Sequence, residues 1–229
     1  MSADRPVATA GSTIEVEALR HGHGSRDVLD IPAWRVDAGE RCLITGPSGS
    51  GKSTLLHLLA GLATPRAGSV RVAGMDLAGL SPAARDRFRG RSIGLVLQSF
   101  HLLDTLSVLD NVRLARHLAG LPEDHARCRE VLEGLGVAEF GSVRPSTLSH
   151  GQAQRVALAR AVVNRPAVIL ADEPTSSLDD ESCERVAALI ETEAARQGAT
   201  LVVATHDSRL RGRFERRLSL DGPESEQQP

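Results

Sequence analysis

A chain of 229 residues, 41% of them hydrophobic, can bury a full core as one large domain or as a core with an inserted lobe. Its formal charge of −2 lacks the basic character a nucleic-acid partner calls for, and no apolar run reaches the ~18 residues of a membrane span. Cys42, Cys128 and Cys183 are widely spaced and form no C-x-x-C pair, as expected of reduced cytosolic thiols. Residues 1–11 are polar and lack the apolar centre of a signal peptide.

In chain order, residues 13–19 alternate polar and apolar side chains as a half-buried strand does. The turn-rich piece His21-Gly22-His23-Gly24-Ser25 follows, then two short apolar runs at 28–31 and 34–36. Two histidines without further ligands nearby fit a solvated loop better than a metal site. Residues 37–40 read as a turn and 41–44 as a strand that runs into Gly46, Pro47, Ser48, Gly49, Ser50, Gly51, Lys52, Ser53 and Thr54. A helical leucine pattern (Leu55, Leu56, Leu58, Leu59) comes next.

Strand, glycine-rich loop and helix together satisfy the phosphate-loop pattern G-x-x-x-x-G-K-[ST] in the context it requires. Gly46, Gly49 and Gly51 let backbone N–H groups close around phosphate oxygens, and the helix then points its positive end at the anion. Lys52 supplies a charge for the terminal phosphates and the Ser53 hydroxyl a ligand for Mg²⁺. Lys52 is the only lysine among 27 basic residues; a compact ammonium stands at the one place where a point charge suits a phosphate. These residues predict binding of a nucleoside triphosphate.

Beyond this helix, 60–68 reads as a loop and 69–73 as a strand, and Ser81 caps a helix with Pro82 at its first position. Residues 92–97 form a buried strand ending at Gln98. The segment 99–106 is loop-like but carries several apolar side chains, and 107–136 is helical with a break at Gly120-Leu121-Pro122. We take this as a helical lobe inserted into an α/β core. A loop at 136–146 leads to Leu148-Ser149-His150-Gly151-Gln152 and a helix over 152–163. The continuous apolar run 167–171 is a strand covered on both faces, and it ends in Asp172-Glu173. A helix over 180–196, a strand over 200–204 and a last strand over 217–220 complete an alternation that predicts a doubly wound parallel sheet; 222–229 is a disordered tail. At the carboxyl end of a strand beside the phosphate loop, Asp172 is placed to hold Mg²⁺ and Glu173 to orient a water against the γ-phosphate.

Taken together, these residues resemble the nucleotide-binding subunit of an ABC (ATP-binding cassette) transporter, over nearly the whole chain and in the family's order. Residues 46–54 look like Walker A, Gln98 takes the Q-loop position, and Leu148-Ser149-His150-Gly151-Gln152 resembles the signature LSGGQ. Residues 168–172 look like Walker B with Glu173 as catalytic glutamate, Ser177-Leu178-Asp179 like the D-loop, and His206 like the switch histidine. Within the family, Leu55-Leu56-His57-Leu58-Leu59 and Gln98-Ser99-Phe100-His101-Leu102-Leu103 look most like the lipoprotein-release, macrolide-export and cell-division ATPases.

The resemblance implies a P-loop NTPase fold: a RecA-like doubly wound parallel sheet with an N-terminal antiparallel β subdomain and an inserted α-helical lobe. It is one ATPase domain over 1–229, with core at about 1–97 and 164–222 and lobe at about 98–163. It further implies ATP and Mg²⁺ as ligands, a head-to-tail pair of identical chains, an integral-membrane permease as partner, no nucleic acid, and a cytoplasmic position on the inner face of the membrane. ATP would lie between residues 46–54 of one copy and Ser149, Gly151 and Gln152 of the other, with Gln98 touching Mg²⁺ or the attacking water. The segment 99–106 would receive a short helix of the permease, or else pack the lobe onto the core. A regulatory ATPase that signals through a membrane protein without moving a solute uses the same motor residues. Two positions depart from the family. His150 replaces the signature's first glycine, where it is tolerated, crowds the nucleotide or donates to phosphate. The aromatic residue that stacks adenine is missing; His21, in the corresponding turn, either stacks in its place or is an ordinary loop side chain.

Overall fold

The computed structural model of the chain describes residues 12–23, 26–176 and 178–220. Strands β1 (Ser12–His23) and β2 (Arg26–Asp37) form a long antiparallel hairpin. With β4 (Ala67–Val72) and β5 (Met75–Asp76) they make a four-stranded sheet in the order β2-β1-β4-β5. The second sheet is wholly parallel, in the order β6-β7-β8-β3-β9: β3 (Arg41–Thr45), β6 (Ile93–Val96), β7 (Val168–Asp172), β8 (Thr200–Thr205) and β9 (Arg216–Ser219). Every residue of β7 and β8 is buried, which is why these strands read as unbroken apolar runs.

Helices cover both faces of the parallel sheet, and the period of two along each strand divides its side chains between them. Cys42, Ile44, Val168, Leu170, Val202 and Ala204 pack with α1 (Lys52–Leu59) and the apolar face of the antiparallel sheet. Leu43, Ile169, Ala171, Leu201 and Val203 face the other way, into a cluster with α3 (Val108–Leu118), α4 (His125–Gly134), α5 (His150–Val162) and α6 (Asp180–Gln197). The arginine-rich α2 (Pro82–Ser92) buries none of its residues; it starts where Ser81 Oγ accepts from Ala84 N at 3.3 Å. Gly120 at φ +62° separates α3 from α4, as its sequence predicts. The three cysteines are buried thiols, and burial pushes Cys42 up to about 12. Among the described residues no helix is long and apolar enough to cross a membrane.

Some local expectations are corrected. The apolar runs at 28–31 and 34–36 belong to one strand, because pairing with β1 continues through Leu19↔Ile31 and Glu17↔Ala33. The same pairing, His21↔Leu29, draws His21 out of the expected turn and into β1. Helix α5 starts at His150 instead of Gln152, since Ser149 is its cap: Ser149 Oγ accepts from Gln152 N at 3.3 Å and Gln152 Oε1 from Ser149 N at 2.8 Å. The loop at 136–146 contains short 3₁₀ turns at Ala138–Phe140 and Pro145–Thr147. Expectations for residues 1–11, the tail 222–229 and Ser177 lie outside the described residues.

Candidate active site

The loop between β3 and α1 is shaped by its glycines. A Cβ on Gly46 would lie 2.4 Å from the Leu220 carbonyl oxygen, and one on Gly51 (φ +95°) 2.7 Å from Leu29 Cδ2, so neither position accepts a side chain. Helix α1 has no acidic residue in its first turn and no side-chain cap, which leaves its N-terminal N–H groups for an anion. Lys52 is folded over the loop: Nζ donates to the carbonyls of Gly46 at 2.9 Å and Pro47 at 3.0 Å. The Ser50 hydroxyl is buried with no hydrogen-bond partner among the described residues.

Opposite the loop stands the end of β7. Asp172 is buried, and its Oδ1 has no hydrogen-bond partner among the described residues. Burial pushes its carboxyl above the usual range, partly offset by a hydrogen bond from Ser53. A buried, incompletely bonded carboxylate beside a hydroxyl is a donor set for a hard divalent cation that takes its other oxygens from phosphate and water. Among the described residues no cluster of three or more His, Cys, Asp or Glu side chains competes for a metal.

Glu173 sits at φ +47°, a conformation that costs a non-glycine residue about 1–3 kcal/mol and is held here by its neighbours. Its N–H donates to the Ala204 carbonyl at 2.8 Å, and its Oε2 accepts from Thr205 Oγ1 at 2.8 Å. Its Oε1 lies 2.8 Å from His206 Nδ1 and 3.7 Å from Lys52 Nζ. The His206 side chain remains 64% exposed on the far side of this contact. Ends of three neighbouring strands, β3, β7 and β8, thus bring a cation, a carboxylate and an imidazole to one place.

Gln98 and Glu173 line one cavity of about 360 Å³ with Phe100, His150, Gln154 and Ser176. Inside it the His150 ring packs on Phe100, with centroids 5.0 Å apart and planes tilted by 57°. The predicted residues Ser149, Gly151 and Gln152 are not drawn to the phosphate loop of their own chain. Ser149 and Gln152 bond each other in the cap of α5, and a Cβ on Gly151 would meet nothing within 4 Å. His21 is half-buried on β1, opposite the Leu29 that packs against Gly51.

This geometry is accompanied by a match to the protein family described as ABC transporter over residues 29–176. The chain belongs to that family. The lipoprotein-releasing system ATP-binding protein LolD of Chromohalobacter salexigens is 43% identical over 204 residues, covering 88% of this chain and 86% of the relative. LolD of Bordetella pertussis is 44% identical over 197 residues, covering 85% of each. Among solved structures, the dimeric post-hydrolysis state of the ATP-binding cassette MJ0796 with ADP and Pi is similar at a TM-score of 0.80 and 31% identity, over 91% of this chain and 96% of that one. A second dimeric MJ0796 structure, described as a bacterial ABC transporter cassette, gives 0.79 and 34%, over 91% and 94%. As an ABC subunit the chain binds ATP and hydrolyses it.

Several residues that arrange this ABC site carry no local sequence signal. Arg160, three turns into α5, donates to the carbonyls of Phe100 at 2.5 Å and His101 at 2.6 Å, and burial lowers its pKa. Asn111 of α3 accepts from Leu103 N at 2.8 Å and donates to Leu103 O at 3.0 Å. Together they fix the segment after Gln98. Thr205 supports Glu173 and is itself fully buried. Only an apolar-to-polar irregularity, such as an asparagine inside a helix pattern, would have flagged them.

Because His150 turns onto Phe100, it leaves Gly151 open, so replacing it with glycine removes an aromatic contact worth about 0.5–1.5 kcal/mol. The His150→Gly variant is expected to hydrolyse ATP within about tenfold of the unaltered chain, a barrier change under ~1.4 kcal/mol. Steady-state phosphate release measures it; a larger gain or loss would mean that the imidazole acts on the nucleotide.

Proposed function

We propose that this chain is the motor of a membrane-bound lipoprotein-releasing system, in which two copies close head to tail on two ATP molecules. The observation that carries the hydrolytic half of this reading is the convergence of Lys52 and His206 on Glu173 Oε1, at 3.7 and 2.8 Å. The similarity to LolD over most of the chain supports the rest.

In this reading residues 46–54 wrap the phosphates, with Lys52 leaving the loop carbonyls for the γ-phosphate. Ser53, Asp172 and Gln98 would hold Mg²⁺, which would neutralise charge on the transferring phosphoryl group. Glu173 Oε1 takes the proton of the attacking water, and Thr205 and His206 Nδ1 fix its orientation. The exposed face of His206 meets the γ-phosphate. Ser149, Gly151 and Gln152 serve the ATP of the second copy, which suits a helix N-terminus whose front is open. His21, whose strand neighbour Leu29 lies against Gly51, supports adenine in this reading. Segment 98–163 moves as a lobe against a core of 1–97 and 164–222, so that occupancy sensed at Gln98 becomes movement.

The chain lies on the cytoplasmic face of the membrane, held by an integral-membrane permease at the segment after Gln98. That segment exposes apolar surface: Leu103 is 45% exposed, and Phe100 is half-buried over His150. A carboxylate in this contact costs several kcal/mol unless paired. The Phe100→Asp chain is expected to bind ATP near normally, yet to lose both co-purification with the permease and its stimulation of ATPase turnover. Retained assembly with a normal response would place the coupling surface elsewhere, and loss of the fold would assign Phe100 to internal packing.

A further inference from the structure

Arg209 lies in a short 3₁₀ turn (Ser208–Arg213) just beyond His206, and its guanidinium is used on three sides. Nε and Nη2 reach the carboxylate of Asp207 at 2.9 and 2.7 Å. Nη1 reaches Asp180 Oδ1 at 2.6 Å, and Nη1 and Nη2 both reach the Leu178 carbonyl at 3.2 Å. Asp207 is also gripped from below, by Thr175 Oγ1 at 3.0 Å and Cys183 Sγ at 3.6 Å, and its N–H donates to Thr205 Oγ1 at 3.0 Å. Thr205 in turn donates to Glu173 Oε2 at 2.8 Å. The bonds with Arg209 hold the Asp207 carboxyl well below the usual carboxylate range. A continuous polar chain therefore runs from Glu173 through Thr205 and Asp207 to Arg209, and from there to the start of α6.

We propose that Arg209 is a positioning residue for ATP hydrolysis, tying the His206 loop to the segment between Glu173 and α6 so that the imidazole and the carboxylate keep one relative placement. The proposal rests on the reading of Glu173 and His206 as the hydrolytic pair. A single exposed ion pair would do little. Arg209 differs in that a rigid, planar fork spans two carboxylates and a carbonyl from two separate loops, with Asp207 itself nearly buried. None of its hydrogen bonds reaches residues 46–54, so its loss leaves the ATP-binding loop intact.

The test compares Arg209→Ala, Arg209→Lys and Asp180→Ala in the purified full-length chain, with ATP affinity from calorimetry and hydrolysis from single-turnover phosphate release. Arg209→Ala is expected to slow hydrolysis about tenfold, the effect of a slightly misplaced reacting group, at an ATP affinity within about twofold of normal. Arg209→Lys recovers less than about twofold of that loss, since an ammonium cannot span the three acceptors. Asp180→Ala removes one arm and slows hydrolysis about twofold, with no further effect in the Arg209→Ala background. The proposal is overturned by a normal rate in Arg209→Ala, by full rescue with lysine, or by affinity falling in parallel with rate, as a general loss of structure gives. Should Arg209→Ala fail to fold, Asp180→Ala decides, because Asp180 is 93% exposed: an unchanged rate there counts against the strut. Glu173→Gln, run alongside, separates the two failures. Normal turnover in Glu173→Gln removes the hydrolytic pair itself, whereas lost turnover there with normal turnover in Arg209→Ala removes only the positioning role.

Discussion

Glu173→Gln keeps ATP bound and slows its hydrolysis by ~10²–10⁴, the scale of losing a positioned general base. The amide keeps the shape of the carboxylate: its oxygen still accepts from Thr205 Oγ1 while its NH2 faces His206 Nδ1 as a donor, and the positive-φ backbone, anchored by the Glu173 N to Ala204 O bond, stays in place. What disappears is the proton acceptor beside Lys52. Removing the charge also relieves one cause of the raised Asp172 pKa, so the neighbouring carboxylate ionises more readily and the proposed Mg²⁺ site is kept. Rapid-quench measurement of bound ATP checks this; turnover near normal would take Glu173 out of the reaction.

Lys52→Ala is expected to weaken ATP binding by ~10- to 150-fold, since a hydrogen bond to a charged group contributes ~1.5–3 kcal/mol and Lys52 supplies the loop's only side-chain charge. The structure adds a consequence that the motif alone does not carry. Lys52 is only 6% exposed, and it satisfies the Gly46 and Pro47 carbonyls, so its loss leaves two loop acceptors short of a donor. This lowers stability by about 1–3 kcal/mol without unfolding a chain whose core lies elsewhere. Calorimetry gives both quantities. Unchanged affinity would contradict the phosphate-loop assignment, and unchanged stability would mean that the loop carbonyls find water.

The parts of the fold legible in the sequence were those whose signal is local. The phosphate loop carries its own glycines, and β7 and β8 are apolar throughout because both faces are covered. The Asp172-Glu173 pair follows directly from the end of such a strand. Less was legible where pairing overrides composition: His21-Gly22-His23 looks like a turn, but lies in β1 because β2 continues alongside it. Helix α5 begins two residues before Gln152 because Ser149 and Gln152 satisfy each other, a reciprocal bond that spacing permits without requiring. The hydrogen-bond partners of Arg160, Asn111 and Arg209 are not legible in the sequence. Arg160 acts on a backbone brought near only by folding, the Phe100 carbonyl 60 positions away, and Arg209 on the Leu178 carbonyl 31 positions away. His150 was visible as a departure from the family pattern, but its contact with Phe100 needed three dimensions.

We propose that ATP is sandwiched between two copies of this chain, with residues 46–54 of one meeting Ser149 and Gly151 of the other. The most direct measurement is the light-scattering mass of the Glu173→Gln chain, with ATP and Mg²⁺ and without them. The expected result is the single-chain mass of 24.3 kDa without nucleotide and twice that mass with it, reverting to the single-chain value when Ser149→Arg blocks the α5 terminus. A mass that stays at 24.3 kDa while ATP is demonstrably bound would contradict the paired site.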